Sequence, residues 1–385
     1  MQRSVAMALC GACLIGVLGC SGGGSSASKS SSSSAAITGA AAAATSDPAP
    51  NCSPFGNPPA AVTADQYPGS KVPACYLGQR LGPWKDRDGY DRYACLYEPP
   101  SASSAAPLPL LVYIHPSLFP ADTLETATDI LEFQNVASLS ADPDRAGFIV
   151  LAPQGRSTKH FYPSPDDQGL GWDNWYRQFD PGGDTFVDGT VYPENVDAVT
   201  IDHFLDRELA TGKVDTNRIY VTGWSNGAAM SYIYGLSRPS IAAIAVYSAP
   251  DPFHAFNDPC PQVAVADDPS NNGQIHIFNE GLPTMHVHND CDIAGLCPNG
   301  ERMATLLRGQ GIIVDDLLIN SLFLPVSSCL DVCGTNPNAN ADLAANPGGI
   351  TLGSVNHTHW PQIWTPAMLE FLRAHPLDSR PRLPG

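Results

Sequence analysis

The hydroxyl best placed to do chemistry in this chain is that of Ser225, within Gly223-Trp224-Ser225-Asn226-Gly227. The run before it, Arg218-Ile219-Tyr220-Val221-Thr222, is β-branched and aromatic and reads as a buried strand. The run after it, Ala228-Ala229-Met230-Ser231-Tyr232-Ile233-Tyr234, reads as the opening of a helix. A glycine on each side of the serine lets the chain turn sharply from strand to helix and presents the hydroxyl at the tip. There the free N–H groups of a helix N-terminus can hold a developing oxyanion. A serine hydroxyl is a weak nucleophile at neutral pH, so it needs a base to take its proton and a carboxylate to orient that base.

For a nucleophile on this kind of elbow, acid and base come later in the chain. Leu282-Pro283-Thr284-Met285-His286-Val287-His288 reads as a strand running into Asn289-Asp290-Cys291-Asp292, which offers Asp290 and Asp292. Near the C-terminus, Val355-Asn356-His357-Thr358-His359-Trp360-Pro361 offers His357 and His359. His357 is preferred because a small polar residue precedes it and an aromatic lies three beyond; His359 remains the alternative. An oxyanion hole needs two backbone donors. The N–H of Asn226 supplies one, and the loop His115-Pro116-Ser117-Leu118 supplies the other through Ser117, since proline has no N–H.

The elements that must hold these groups alternate. Strand-like runs are expected at Leu110–Ile114, Phe148–Leu151, Ile219–Thr222, Ala242–Tyr247, Thr284–Val287 and Ile350–Leu352. Helices are expected at Asn195–Glu208, Asn226–Leu236, Glu301–Leu307 and Ala367–Arg373. Continuous apolar strands separated by helices predict an α/β fold: a mostly parallel central sheet with helices on both faces. Such sheets bind ligands at the carboxyl ends of their strands, where the serine turn points. The segment from Ser157 to Tyr192 is rich in Gly, Asp, Pro and aromatics, and reads as an excursion over that edge. Trp172, Trp175 and Trp224 are the candidate substrate contacts.

The N-terminus reads as a processing segment. Arg3 precedes a short apolar run from Val5 to Leu18, which ends in Val17-Leu18-Gly19-Cys20. This looks like a lipoprotein signal over residues 1–19, with Cys20 as the lipidated residue. Residues 20–50 are mostly Ser, Gly and Ala and read as a flexible tether. Residues 51–385 are the expected catalytic domain. Of 11 cysteines, Cys10, Cys13 and Cys20 fall in the leader. The remaining eight, at 52, 75, 95, 260, 291, 297, 329 and 333, form an even set that suits disulfides in an exported bacterial protein. Cys291 with Cys297 and Cys329 with Cys333 are the plausible local pairs. A formal net charge of −18 argues against a nucleic-acid partner. The lipid anchor is the only expected membrane contact, and a monomer is expected.

Several blocks in order resemble the secreted esterases of the polyhydroxybutyrate depolymerase and feruloyl esterase type, a branch of the α/β-hydrolases. They are Leu111-Val112-Tyr113-Ile114-His115, Ala152-Pro153-Gln154-Gly155, the run from Val214 to Gly227, His288-Asn289-Asp290-Cys291-Asp292, and Asn356-His357 with Trp360-Pro361. Pro116 and Asn289 stand where that family has glycine. The resemblance implies an α/β-hydrolase fold and a Ser225–Asp292–His357 triad, with Asp292 in place of Asp290 as the acid. It also implies hydrolysis of polyesters, or of feruloyl or acetyl esters on polysaccharide, with no cofactor and no metal.

Two readings compete with it. His286-Val287-His288-Asn289-Asp290 is an H-x-H-x-D run, and histidines at i and i+2 share one face of a strand, as metal ligands do. That reading makes the protein a metal-dependent hydrolase. The other is a non-catalytic lipoprotein whose aromatics grip a polymer. A peptidase of the prolyl oligopeptidase kind would carry a propeller, and no blade-like repeat is present.

Overall fold

A computed structural model describes residues 72–87, 89–140, 142, 144–156, 171–172, 195–253, 277–293, 296–330 and 352–380, together with the backbone of 185–187 and 190–192. All of these lie within the unit Ala49–Gly385. The leader, the tether, Cys20 and Trp175 lie outside the described residues.

The strands are β1 (Gln79–Lys85), β2 (Asp91–Tyr97), β3 (Leu108–Ile114), β4 (Ile149–Pro153), β5 (Thr185–Val187), β6 (Thr190–Tyr192), β7 (Val214–Trp224), β8 (Ala243–Tyr247), β9 (Thr284–Asn289) and β10 (Val314–Ile319). The helices are α1 (Leu124–Ala127), α2 (Ile130–Phe133), α3 (Val196–Leu209), α4 (Asn226–Ser237), α5 (Leu296–Gly309), α6 (Leu352–His357) and α7 (Thr365–Ala374). Eight strands form one sheet in the order β1-β2-β4-β3-β7-β8-β9-β10, and β5 with β6 makes a separate hairpin. β2 is antiparallel to both β1 and β4, and every pairing from β4 to β10 is parallel. This is the expected α/β-hydrolase arrangement.

Period-two alternation divides each central strand between two cores. On one face Leu110, Val112, Ile219, Val221, Ile244 and Val246 pack with α3, α4 and α5. On the other, Leu111, Tyr113, Tyr220, Ala245, Tyr247 and Val287 pack with α1, α2 and α7. Both faces are therefore covered, which is why these strands read as unbroken apolar runs. α3 begins as the sequence signals: the Asn195 side chain caps it by accepting from the N–H groups of Asp197 and Ala198.

Three expectations change. β1, β2 and β10 carry mixed or charged residues without a clean apolar run, and only their pairing makes them strands. Leu352, expected in a strand, opens α6. Its short apolar run gives way to Gly353, which sits so close to the backbone of Asp292 that a Cβ there would come within 2.8 Å of that carbonyl oxygen. The expected cysteine pairs also fail, because Cys297 bonds Cys329 and so links α5 to the loop after β10. Cys75 bonds Cys95, and Cys291 is disulfide-bonded as well, to neither Cys297 nor Cys329.

Candidate active site

Ser225 stands between β7 and α4 with φ 56° and ψ −125°. This backbone is costly for a residue with a Cβ and persists only where its surroundings enforce it. Two contacts enforce it. The Ser225 N–H donates to the Tyr247 carbonyl at 3.0 Å. Gly227 also brings the first turn of α4 against the end of β3, where a Cβ would lie 2.1 Å from the Ile114 carbonyl oxygen. No residue but glycine fits there without shifting backbone.

The sequence-selected residues meet at this elbow. Ser225 Oγ is 2.7 Å from His357 Nε2, and His357 Nδ1 is 2.8 Å from Asp292 Oδ1. All three residues are buried. The carboxylate accepts from Nδ1–H, so the neutral imidazole turns the lone pair of Nε2 toward the serine hydroxyl. The same oxygen of Asp292 also accepts from the Ile293 N–H at 2.6 Å.

His359 is not at this site. It is exposed, and its Nδ1 lies 2.6 Å from the Val355 carbonyl. Asp290 is also absent from the triad: its N–H donates to the Ile319 carbonyl, and burial raises the pKa of its carboxyl.

The histidine is held through its backbone. Trp224 Nε1 donates to the His357 carbonyl at 2.8 Å. The Tyr247 hydroxyl donates to the Asn356 carbonyl at 2.7 Å, and burial holds that phenol in its neutral, donating form. Asn356 Nδ2 donates to Asn289 Oδ1 at 2.9 Å and to the Cys291 carbonyl at 2.7 Å, which ties the histidine loop to the acid loop.

Sequence reasoning missed Ser248. Its hydroxyl donates to Asp292 Oδ2, its oxygen lies 3.0 Å from His357 Nδ1, and its φ is 56°. It stands directly after β8, beside the strand that leads into Ser225, and nothing in its local sequence sets it apart.

The loop after β3 packs beside the elbow: Phe119 stacks on Trp224 with ring centroids 6.4 Å apart. His115 anchors the start of this loop. Its Nε2 lies 2.9 Å from the Gly155 N–H, which can only donate, so Nδ1 carries the proton and donates to the Pro116 carbonyl at 2.8 Å. Burial pushes its pKa down to about 4 and keeps the ring neutral. Arg92 supports this region from below through a buried network with Asp86, Asp197 and the Gln154 carbonyl. Asn226 opens α4, where the first N–H groups have no acceptor within the helix. Ser117 follows the His115 anchor, and its hydroxyl oxygen is buried with no hydrogen-bond partner among the described residues.

Trp172 and Trp224 depart from the expected substrate-contact role, because both are buried. Trp172 is a brace: its N–H donates to Asn226 Oδ1 and its indole Nε1 donates to the His115 carbonyl, each at 2.8 Å. It thereby ties the two strand exits that carry the expected oxyanion donors. In the loop after β3, Leu118 and Phe119 are exposed apolar groups, at 57% and 41% exposure.

The H-x-H run behaves differently from expectation. His286 and His288 group with Asp316 of β10, and Asp290 is not part of that group.

No protein-family model matches the chain, and no curated protein matches it. Among solved structures, it is similar to a thermostable esterase at 17% identity and TM-score 0.43, over 78% of this chain and 63% of that one. It is similar to a hyperthermophilic esterase from Pyrobaculum calidifontis at 15% identity and TM-score 0.41, over 64% of this chain and 76% of that one. An acetyl xylan esterase from Aspergillus awamori aligns at 18% identity and TM-score 0.41, over 60% of this chain and 78% of that one. The chain thus spans less than two thirds of the thermostable esterase. The fold assignment rests on the sheet order and the β7–α4 elbow.

Proposed function

We propose that this protein hydrolyses carboxylic esters through an acyl-enzyme on Ser225. The observation that carries this reading is the continuous hydrogen-bond chain from Ser225 through His357 to Asp292, at 2.7 and 2.8 Å, on a strained elbow. Ser225 Oγ attacks the ester carbonyl as His357 Nε2 takes its proton. The oxyanion is held by the N–H groups of Asn226 and Ser117. Collapse of the tetrahedral adduct expels the alcohol, which takes the proton from His357. Water, activated by the same imidazole, attacks the acyl carbon and releases the carboxylic acid and the free serine. Asp292 holds the tautomer and stabilises the imidazolium throughout.

The apolar lip of Leu118 and Phe119 favours esters with an apolar acyl part, such as an aliphatic polyester, or a feruloyl or acetyl group on polysaccharide. Export with lipid anchoring at Cys20 completes the proposal, and the disulfides Cys75–Cys95 and Cys297–Cys329 are consistent with it. The test is a panel of p-nitrophenyl esters, a poly(hydroxybutyrate) suspension, a feruloylated arabinoxylan and an acetylated xylan. Turnover of at least one, lost in Ser225→Ala, is expected. No turnover of any ester refutes the reading.

A further inference from the structure

We propose that His286, His288 and Asp316 form a binding site for one divalent transition-metal ion of the zinc class, structural in role and separate from the ester chemistry. The three residues are joined by the sheet itself. His286 and His288 are at i and i+2 of β9, so their side chains share one face. Asp316 is the register partner of His286 on the adjacent parallel strand β10. All three therefore project to the same face of the sheet, the one covered by α4 and α5.

Their donor atoms converge. One ligand atom from each residue lies within 4.8 Å of the other two. Asp316 Oδ1 is 3.5 Å from His286 Nδ1 and 3.0 Å from His288 Nε2. Ligands of a tetrahedral zinc ion, each about 2.0–2.1 Å from the metal, stand roughly 3.4 Å from one another. The two separations from Asp316 bracket that value.

The decisive observation is what these atoms lack. Both imidazoles are buried, at 0% and 2% exposure, yet among the described residues their ring nitrogens face no polar group but the Asp316 carboxylate and meet no partner in good hydrogen-bond geometry. Leaving so many buried polar atoms poorly matched is costly, and proteins seldom tolerate it. A cation coordinated by one nitrogen of each ring and by Oδ1 removes most of that cost. Two imidazoles and one carboxylate are borderline ligands that suit zinc, and a water completes the fourth position.

The rings are closely confined. They stack at 4.6 Å with planes 10° apart, and a Cβ on Gly300 of α5 would come within 2.7 Å of His286 Cε1. Access is from the β10 edge of the sheet, where Asp316 retains 14% side-chain exposure beside the half-exposed Arg308, which stands 3.9 Å from the other carboxylate oxygen. The ion would staple β10 to β9, the strand that runs on into Asp292.

The experiment uses full-length protein purified without a polyhistidine tag, stripped with chelator and titrated with zinc chloride by calorimetry. One equivalent of zinc is expected, with a rise in Tm of about 5 °C at saturating metal. Cobalt(II) is expected to give the intense visible bands of a tetrahedral site. Asp316→Asn and His288→Gln are expected to lose the zinc response, and Asp290→Asn to keep it. Absence of stoichiometric zinc binding by the wild-type protein overturns the proposal, and so does full binding by the Asp316→Asn/His288→Gln double variant. Neither readout depends on esterase turnover, so the ester reading stands or falls separately.

Discussion

Ser248 holds the far oxygen of Asp292: its hydroxyl donates to Oδ2, leaving Oδ1 to His357. The two residues arrive from neighbouring strands. Ser248 follows β8 and donates its own N–H to the Val287 carbonyl of β9 at 2.8 Å, and Asp292 lies just past the end of β9. The hydroxyl therefore fixes the carboxylate plane that fixes the imidazole.

Ser248→Ala is expected to lower kcat by about 10- to 100-fold, the range for losing one hydrogen bond to a charged group. KM should stay within about twofold, because the contacts of the Ser248 hydroxyl are to Asp292 and to the Nδ1 side of His357, the side turned away from Ser225. Steady-state kinetics on a soluble ester check this, and a change confined to KM would assign the residue another role.

His357 and His359 separate cleanly in space, and their variants should separate in rate. His357→Ala is expected to lose several orders of magnitude in kcat, and His359→Ala to retain wild-type activity. His359 is exposed just past α6, where its ring meets the Val355 carbonyl and its N–H donates to the Asn356 carbonyl, away from Ser225. A reversal of the two results would move the base.

Much of this site was legible in the sequence, for a physical reason. The elbow requires glycine where backbone meets backbone, so Gly227 marks it, and β7 reads as a strand because both its faces are buried. Asp292 sits just past the recognisable strand β9, whereas His357 ends α6, a helix whose start reads as a strand. Ser248 was not legible, since nothing local distinguishes a serine after a strand from any other. The role of Trp172 was misjudged because an aromatic in a polar loop suits a ligand surface and a buried brace equally well. Asp316 was hidden for a related reason: Val314 to Ile319 carries two adjacent aspartates, and only the pairing of β10 with β9 sets one beside His286.

Trp172→Phe keeps an aromatic ring at this buried site, gives up part of the indole's volume and deletes the indole donor to the His115 carbonyl. The loss is expected to be about tenfold in kcat, similar for every ester in the panel, because the brace acts on the shared oxyanion loops. Kinetics across short and long acyl chains check it. A loss that grows with acyl length would make Trp172 a substrate contact.

His115 sets a pH dependence of stability. Its folded pKa of about 4 lies below the unfolded value of about 6.5. Between those values the unfolded chain binds a proton that the folded chain refuses. Stability from this group is therefore complete above about pH 6.5, falls as the solution is acidified, and levels off below about pH 4. The full span is about 3 kcal/mol. Tm should decline over this window in the wild type and decline less in His115→Asn, whatever the variant's overall stability. Parallel curves would contradict the assignment.

The most direct measurement of the central claim is intact-protein and peptide mass spectrometry after treatment with a fluorophosphonate. The account predicts one covalent adduct, located on Ser225, formed in step with loss of ester hydrolysis and absent from both Ser225→Ala and His357→Ala. A folded wild-type protein that hydrolyses esters while Ser225 stays unlabelled, or that hydrolyses them equally well as Ser225→Ala, would contradict it.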